Sequence, residues 1–241
     1  MVRTDNSLDA NPALILGARG WEHAGWDGVF YPADLPPEWR LAYYANEFQT
    51  VLVPEECWRD CTPAQVAGWG ADVRPGFSFF LELTCDPARA AAFVDDCAAL
   101  RERCAALAER MGGLILRFAR LPAPRELEAL PACLPALHPV SLVLPDGVSP
   151  PEASAPLMWS GAAPCWMPGR GLGKSGTGLM TIEDGKYTQR GLRREVESFL
   201  KQARGVERAF LFFQGDPPGV QALRDAAVMA ELLGHPLAVG G

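Results

Sequence analysis

Residues 14–50 read LILGARGWEHAGWDGVFYPADLPPEWRLAYYANEFQT. The apolar start, from Ala13 to Gly17, has the composition of a strand buried on both faces, and Gly17 and Gly20 allow the turn that ends it. Trp21, Trp26, Phe30, Tyr31 and Pro32 then fill a long loop. Pro36-Pro37 leads into a helix carrying Tyr43-Tyr44-Ala45, and Thr50-Val51-Leu52-Val53 is apolar again. Strand, loop, helix, strand is one βα unit of a parallel sheet.

The rest of the chain repeats that alternation. Further apolar runs lie at 77–83, 114–118, 140–144, 157–159 and 209–213, with 179–182 as an eighth. Helical patterns separate them. Thr62-Pro63-Ala64-Gln65 offers an N-cap, a proline at the first helical position and a capping-box glutamine. Asp86-Pro87 opens an alanine-rich helix expected to reach Arg110 and close at Gly112-Gly113. Leu192, Val196, Phe199, Leu200 and Ala203 keep helical spacing behind Thr188, and Val220, Leu223, Ala227, Ala230 and Leu233 keep it up to Gly234. Seven or eight strands in 241 residues predict an α/β fold, a TIM-type (β/α) barrel filling 1–241 as one domain. A doubly wound open sheet is the alternative. Residues 1–12 are expected to be disordered, and the proline-rich 131–185 region to be irregular or incomplete.

The 29 acidic residues outnumber the 22 basic ones, giving a net charge of −7, a pI near 5.1 and a mean hydropathy of +0.01. That balance argues against nucleic acid as a partner. The two longest uncharged runs, Leu130–Pro145 and Ala153–Gly169, are each interrupted by several prolines, which argues against a membrane span, and the N-terminus has no apolar signal region. Seven cysteines, an odd number with no CxxC pair, predict thiols in a cytoplasmic chain, with no disulfide and no structural zinc. Cys57 and Cys61 have the four-residue spacing of ligands on one helical turn, but no second pair completes a tetrahedral site. The composition calls for no cofactor and leaves oligomeric state open.

The opening stretch resembles the YecE-like family, domain of unknown function 72. The resemblance rests on Gly20-Trp21, on Trp26-Asp27-Gly28-Val29-Phe30-Tyr31-Pro32, on Leu35-Pro36, on Tyr43-Tyr44-Ala45 and on Phe48-Gln49-Thr50-Val51. It continues more thinly through Trp69 to Phe79, Gly112 to Phe118, Tyr187-Thr188 and Phe210 to Phe213. The resemblance implies a TIM-type barrel, in agreement with the pattern of elements. It also implies polar residues at the strand ends, and there this chain departs. The family's Glu and Asn after the second strand are replaced by Leu52 to Trp58. Its Lys falls on Glu82, its Gln on Arg117, and its Asn-Asn on Gln214-Gly215.

Barrel sites lie at the carboxyl ends of strands. The candidate pocket is therefore Arg19, Trp21, His23, Trp26, Glu55, Glu82, Arg117 and Gln214, with no metal ligand among them. His23 needs a carboxylate to act as a base, and Glu55 and Glu56 are the candidates; the plain alternative is an exposed loop histidine. Glu55, Glu56 and Glu82 could form paired carboxylates or be solvated acids. The aromatic loop could stack a sugar ring or serve as its own core. His138 and His235 read as structural. Pro168-Gly169-Arg170-Gly171-Leu172-Gly173-Lys174-Ser175 approaches a phosphate loop, but Pro168, Gly176 and Gly178 predict coil with neither strand before nor helix after it.

Glu82 and Arg117 end consecutive strands, so they are expected to lie at equal height and pair. Two functions follow. One is a non-catalytic or small-molecule-binding barrel that has lost most of the family's polar strand ends. The other is an enzyme of hydrolase or isomerase type acting on a small anionic or sugar-like substrate.

Overall fold

The computed structural model describes residues 12–85, 90–118, 140–143, 165–166, 177–183, 188–204, 208–215 and 219–235. Eight strands and six α-helices lie in these segments. The strands are β1 (Ala13–Arg19), β2 (Thr50–Val53), β3 (Ser78–Cys85), β4 (Met111–Phe118), β5 (Val140–Val143), β6 (Cys165–Trp166), β7 (Thr177–Glu183) and β8 (Arg208–Gln214). The helices are α1 (Arg40–Glu47), α2 (Glu55–Trp58), α3 (Pro63–Asp72), α4 (Ala90–Leu107), α5 (Gln189–Gln202) and α6 (Val220–Leu232). The fold is α/β, and the chain divides into two compact units, one of residues 1–51 with 163–241, the other of 52–162.

In the first unit β8 lies between β1 and β7, β6 flanks β7, and all these pairings are parallel. Ile15, Leu16, Phe210, Leu211, Phe212 and Phe213 are buried, as strands covered on both faces require. Gly17 is needed for packing: a Cβ there would lie 2.2 Å from the Thr50 carbonyl oxygen. The Tyr44 hydroxyl of α1 sits at the same junction, accepting from the Ala18 amide at 2.7 Å and donating to the Thr50 carbonyl at 2.9 Å. Thr188 caps α5 as expected, and α6 stops at Gly234, whose φ is +77°. Pro12 is buried, and His235 Nδ1 lies 3.3 Å from its carbonyl oxygen, a structural place for that histidine.

In the second unit β3, β4 and β5 are parallel neighbours. The Thr62–Gln65 capping box opens α3 as the sequence predicts. The expected stop of the long helix is corrected. α4 ends at Leu107 and passes through a 3-10 turn, Ala108–Arg110, straight into β4. Gly112 and Gly113 are strand residues, and a Cβ on Gly112 would meet the Phe80 ring at 2.5 Å. Glycine here makes room for a ring and does not end a helix.

The expected strand at 157–159 and the loop at 168–175 lie outside the described residues. Its flanks are described, and one corrects the expectation: β6, Cys165–Trp166, is a strand just before the loop. β7 follows from Thr177, so the segment after it is strand and not helix.

Candidate functional site

The candidate residues fall in two groups, each within one unit. The first begins where β1 ends. Arg19 is its last residue, and Gly20, at φ +79°, makes the turn that only glycine takes without strain. His23 folds back so that Nε2 lies 2.9 Å from the Arg19 carbonyl oxygen, and its ring rests 4.6 Å from that of Trp26. The loop is its own core. Trp21, Trp26, Phe30 and Tyr31 are all buried, and Trp26 packs in a cluster with Phe30, Tyr31 and Tyr44. The Tyr31 hydroxyl donates to the Trp21 carbonyl at 2.5 Å. Burial pushes the hydroxyls of Tyr31 and Tyr44 well above the usual tyrosine range. Gln214 ends β8, in register with Glu183 of β7. Its Nε2 is buried and has no hydrogen-bond partner among the described residues. A buried amide nitrogen in that state needs an acceptor from elsewhere.

The second group holds Glu55, Glu82 and Arg117. Glu82 is 1% exposed and accepts a hydrogen bond from Arg117 Nε, an ion pair within β3 and β4. The pairing is as expected, but the heights are not equal. Glu82 is in register with Ile115, and Arg117 with Thr84. Register partners in a parallel pair share a face, as do alternate residues of one strand. Arg117 therefore stands two residues further along the same face and reaches back to the carboxylate. A charge buried this deeply is tolerated only with a counter-charge in place.

Glu55 has a different task. It starts α2, and its Oε2 accepts from the Thr84 amide at 2.7 Å while Oε1 takes the Arg59 guanidinium one turn later. From the other end of α2, Trp58 Nε1 donates to the Glu82 carbonyl at 2.7 Å. The carbonyl of Glu82 and the amide of Thr84 point to one edge of β3, so α2 covers that edge with two side chains. Reading the sequence alone missed Trp58, Arg59 and Thr84. The signal for α2 was present in Pro54-Glu55-Glu56, a turn-forming proline followed by two acids suited to a helix start.

A cleft lined by Leu14, Leu16, Glu47, Phe48, Arg224 and Ala227 lies in the first unit. None of the candidate residues line it, and its carboxylate, Glu47, is paired with Arg224. Among the described residues no group of three or more His, Cys, Asp or Glu side chains is arranged to hold a metal. Among them, too, no helix is long and apolar enough to cross a membrane.

Parallel strands with helices between them in sequence define an α/β protein with its candidate chemistry at strand ends. The sequence pattern of the family described as Protein of unknown function DUF72 matches residues 15–145, and the chain belongs to that family. A DUF72 family protein from Thermotoga maritima shares the fold at a TM-score of 0.66 and 16% identity, over 92% of this chain and 99% of that one. A DUF72 family protein from Enterococcus faecalis does so at 0.57 and 14%, over 92% and 95%. A comparison with curated proteins finds no match.

Proposed function

We propose that this protein is a non-catalytic member of its family that binds a small molecule at the carboxyl ends of its strands. In this reading the strands close as a TIM-type barrel, the chain is one domain over 1–241, and it works in the cytoplasm without a cofactor. The observation that carries the reading is the Glu82–Arg117 pair. A hydrolase or isomerase working at these strand ends would need a side chain poised to give or take a proton, and His23 keeps its Nε2 against the Arg19 carbonyl. Glu82 is sealed against a guanidinium, and Glu55 is committed to a backbone amide and to Arg59. The binding half rests on Gln214, whose buried Nε2 calls for an acceptor oxygen such as a carbonyl, carboxylate or phosphoryl group supplies. Arg19 and His23 lie at the end of β1, beside β8 in the same unit.

The test is a thermal-shift screen of carboxylates, sugars and sugar phosphates on the whole chain. Binding to the folded state alone raises the melting temperature by mass action. At least one compound should raise it, and Gln214→Leu should weaken that shift. A screen without any shift overturns the reading. A compound that binds and is turned over restores the enzyme alternative.

A further inference from the structure

We propose that Cys57 and Cys61 form a thiol modification site, closing to an intramolecular disulfide on reaction with a low-molecular-weight disulfide. Cys57 is exposed and Cys61 half-exposed, both as thiols. Cys61 Sγ lies 3.1 Å from the Cys57 carbonyl oxygen. A carbonyl oxygen stands only about 2.4 Å from its own Cα. The Cys61 sulfur is thus already against the backbone of the residue it must join.

Both ends of this five-residue stretch are fixed by contacts that involve no sulfur. At the first end, Glu55 just before Cys57 holds the Thr84 amide and Trp58 just after it holds the Glu82 carbonyl, each at 2.7 Å. Downstream, Arg103 of α4 donates to the Cys61 carbonyl from Nε at 3.1 Å and from Nη2 at 2.6 Å. A turn bond, Cys61 amide to Trp58 carbonyl at 3.1 Å, keeps the intervening chain compact. Ring closure then asks for a side-chain rotation and little backbone ordering. Cys104 is the internal contrast: it is 1% exposed, and burial pushes its thiol up to about 12, so it stays protonated and shielded.

The Cys57 thiolate attacks one sulfur of a disulfide RSSR, forming Cys57–S–S–R and releasing RS⁻. The Cys61 thiolate attacks the Cys57 sulfur, forming the Cys57–Cys61 bond and releasing the second RS⁻. The two thiol protons end on the two RS⁻ groups. Two electrons pass from the protein thiols to RSSR, giving one protein disulfide and two RSH. The ring so formed encloses Trp58 and Arg59, whose side chains reach Glu82 and Glu55, so the thiol state is coupled to the strand-end cluster.

Oxidised glutathione is the probe, applied to the folded full-length protein and followed by alkylation and tryptic mapping. Trypsin cuts after Arg59 and spares Arg74 before Pro75, so the new bond should join peptides 41–59 and 60–89. Because 60–89 also holds Cys85, three variants assign the bond. Cys57→Ser and Cys61→Ser should each abolish the cross-link, and Cys85→Ser should keep it. Dithiothreitol should reverse it, and Cys104 should remain alkylatable only after unfolding. Glutathione left on both residues without a cross-link would overturn the proposal. So would a cross-link that survives Cys61→Ser, or one that runs between two chains on a non-reducing gel.

Discussion

A carboxylate that is 1% exposed keeps its charge only with a cation held against it, and Arg117 supplies that cation to Glu82. The two partners are not equally buried, since Arg117 is 26% exposed. Their losses should therefore differ. Arg117→Met strands a buried charge and should cost about 3–5 kcal/mol. Glu82→Gln leaves a guanidinium that can turn to water and should cost clearly less. Chemical denaturation of both single variants and the double variant measures the coupling, and two equal, small losses would refute it. This pair was legible in the sequence because each residue ends an apolar run whose strand is unmistakable. Trp58 was not, because a four-residue helix has no period to detect and its indole acts on the backbone of another element. Backbone acceptors leave no trace in side-chain patterns.

Between elements, the tightest joint described is that of β1 with the start of β2. Gly17→Ala would drive a Cβ to 2.2 Å from the Thr50 carbonyl, a backbone atom with no side-chain freedom to retreat. The strands must separate, at roughly 1–3 kcal/mol or more. Tyr44→Phe attacks the same joint differently, leaving the Ala18 amide and the Thr50 carbonyl without the hydroxyl between them. Its expected cost is about 1–3 kcal/mol. Because both changes act on one joint, urea denaturation should show the double variant losing less than the sum; strict additivity would mean the joint is not shared. Long apolar strands and capped helices such as α3 and α5 were legible because burial and capping leave local signals. β6 was not: two residues beside prolines carry no alternation, and the pairing with β7 that makes them a strand is remote in sequence. Gly112-Gly113 misled for a related reason, since room for the Phe80 ring and a helix stop call for the same residue.

At the scale of the whole molecule, three buried protons among the described residues make stability respond to alkali. Burial raises the hydroxyls of Tyr31 and Tyr44 above their ordinary value of 10.0, and raises the Cys104 thiol from 9.0 to about 12. In the unfolded chain each group releases its proton near the ordinary value. In the folded chain each retains it. Above pH 9 the folded state therefore binds more protons than the unfolded state, and stability falls as pH rises. Below that point the contribution of these groups is complete and flat. Each titrating group contributes a slope of up to about 1.4 kcal/mol per pH unit. Urea denaturation should show a plateau up to pH 8 to 9 and then a decline that steepens past pH 10, as the tyrosines join the cysteine. The net charge of −7 adds self-repulsion to that decline as lysines lose their protons, so the wild-type curve alone does not isolate the thiol. Cys104→Ala isolates it. The cavity left behind costs the same at every pH, whereas the proton linkage disappears with the sulfur. The gap between variant and wild type should thus narrow steadily from pH 9 towards 12. A gap that stays constant over that range would mean that Cys104 titrates alike in the folded and unfolded chains.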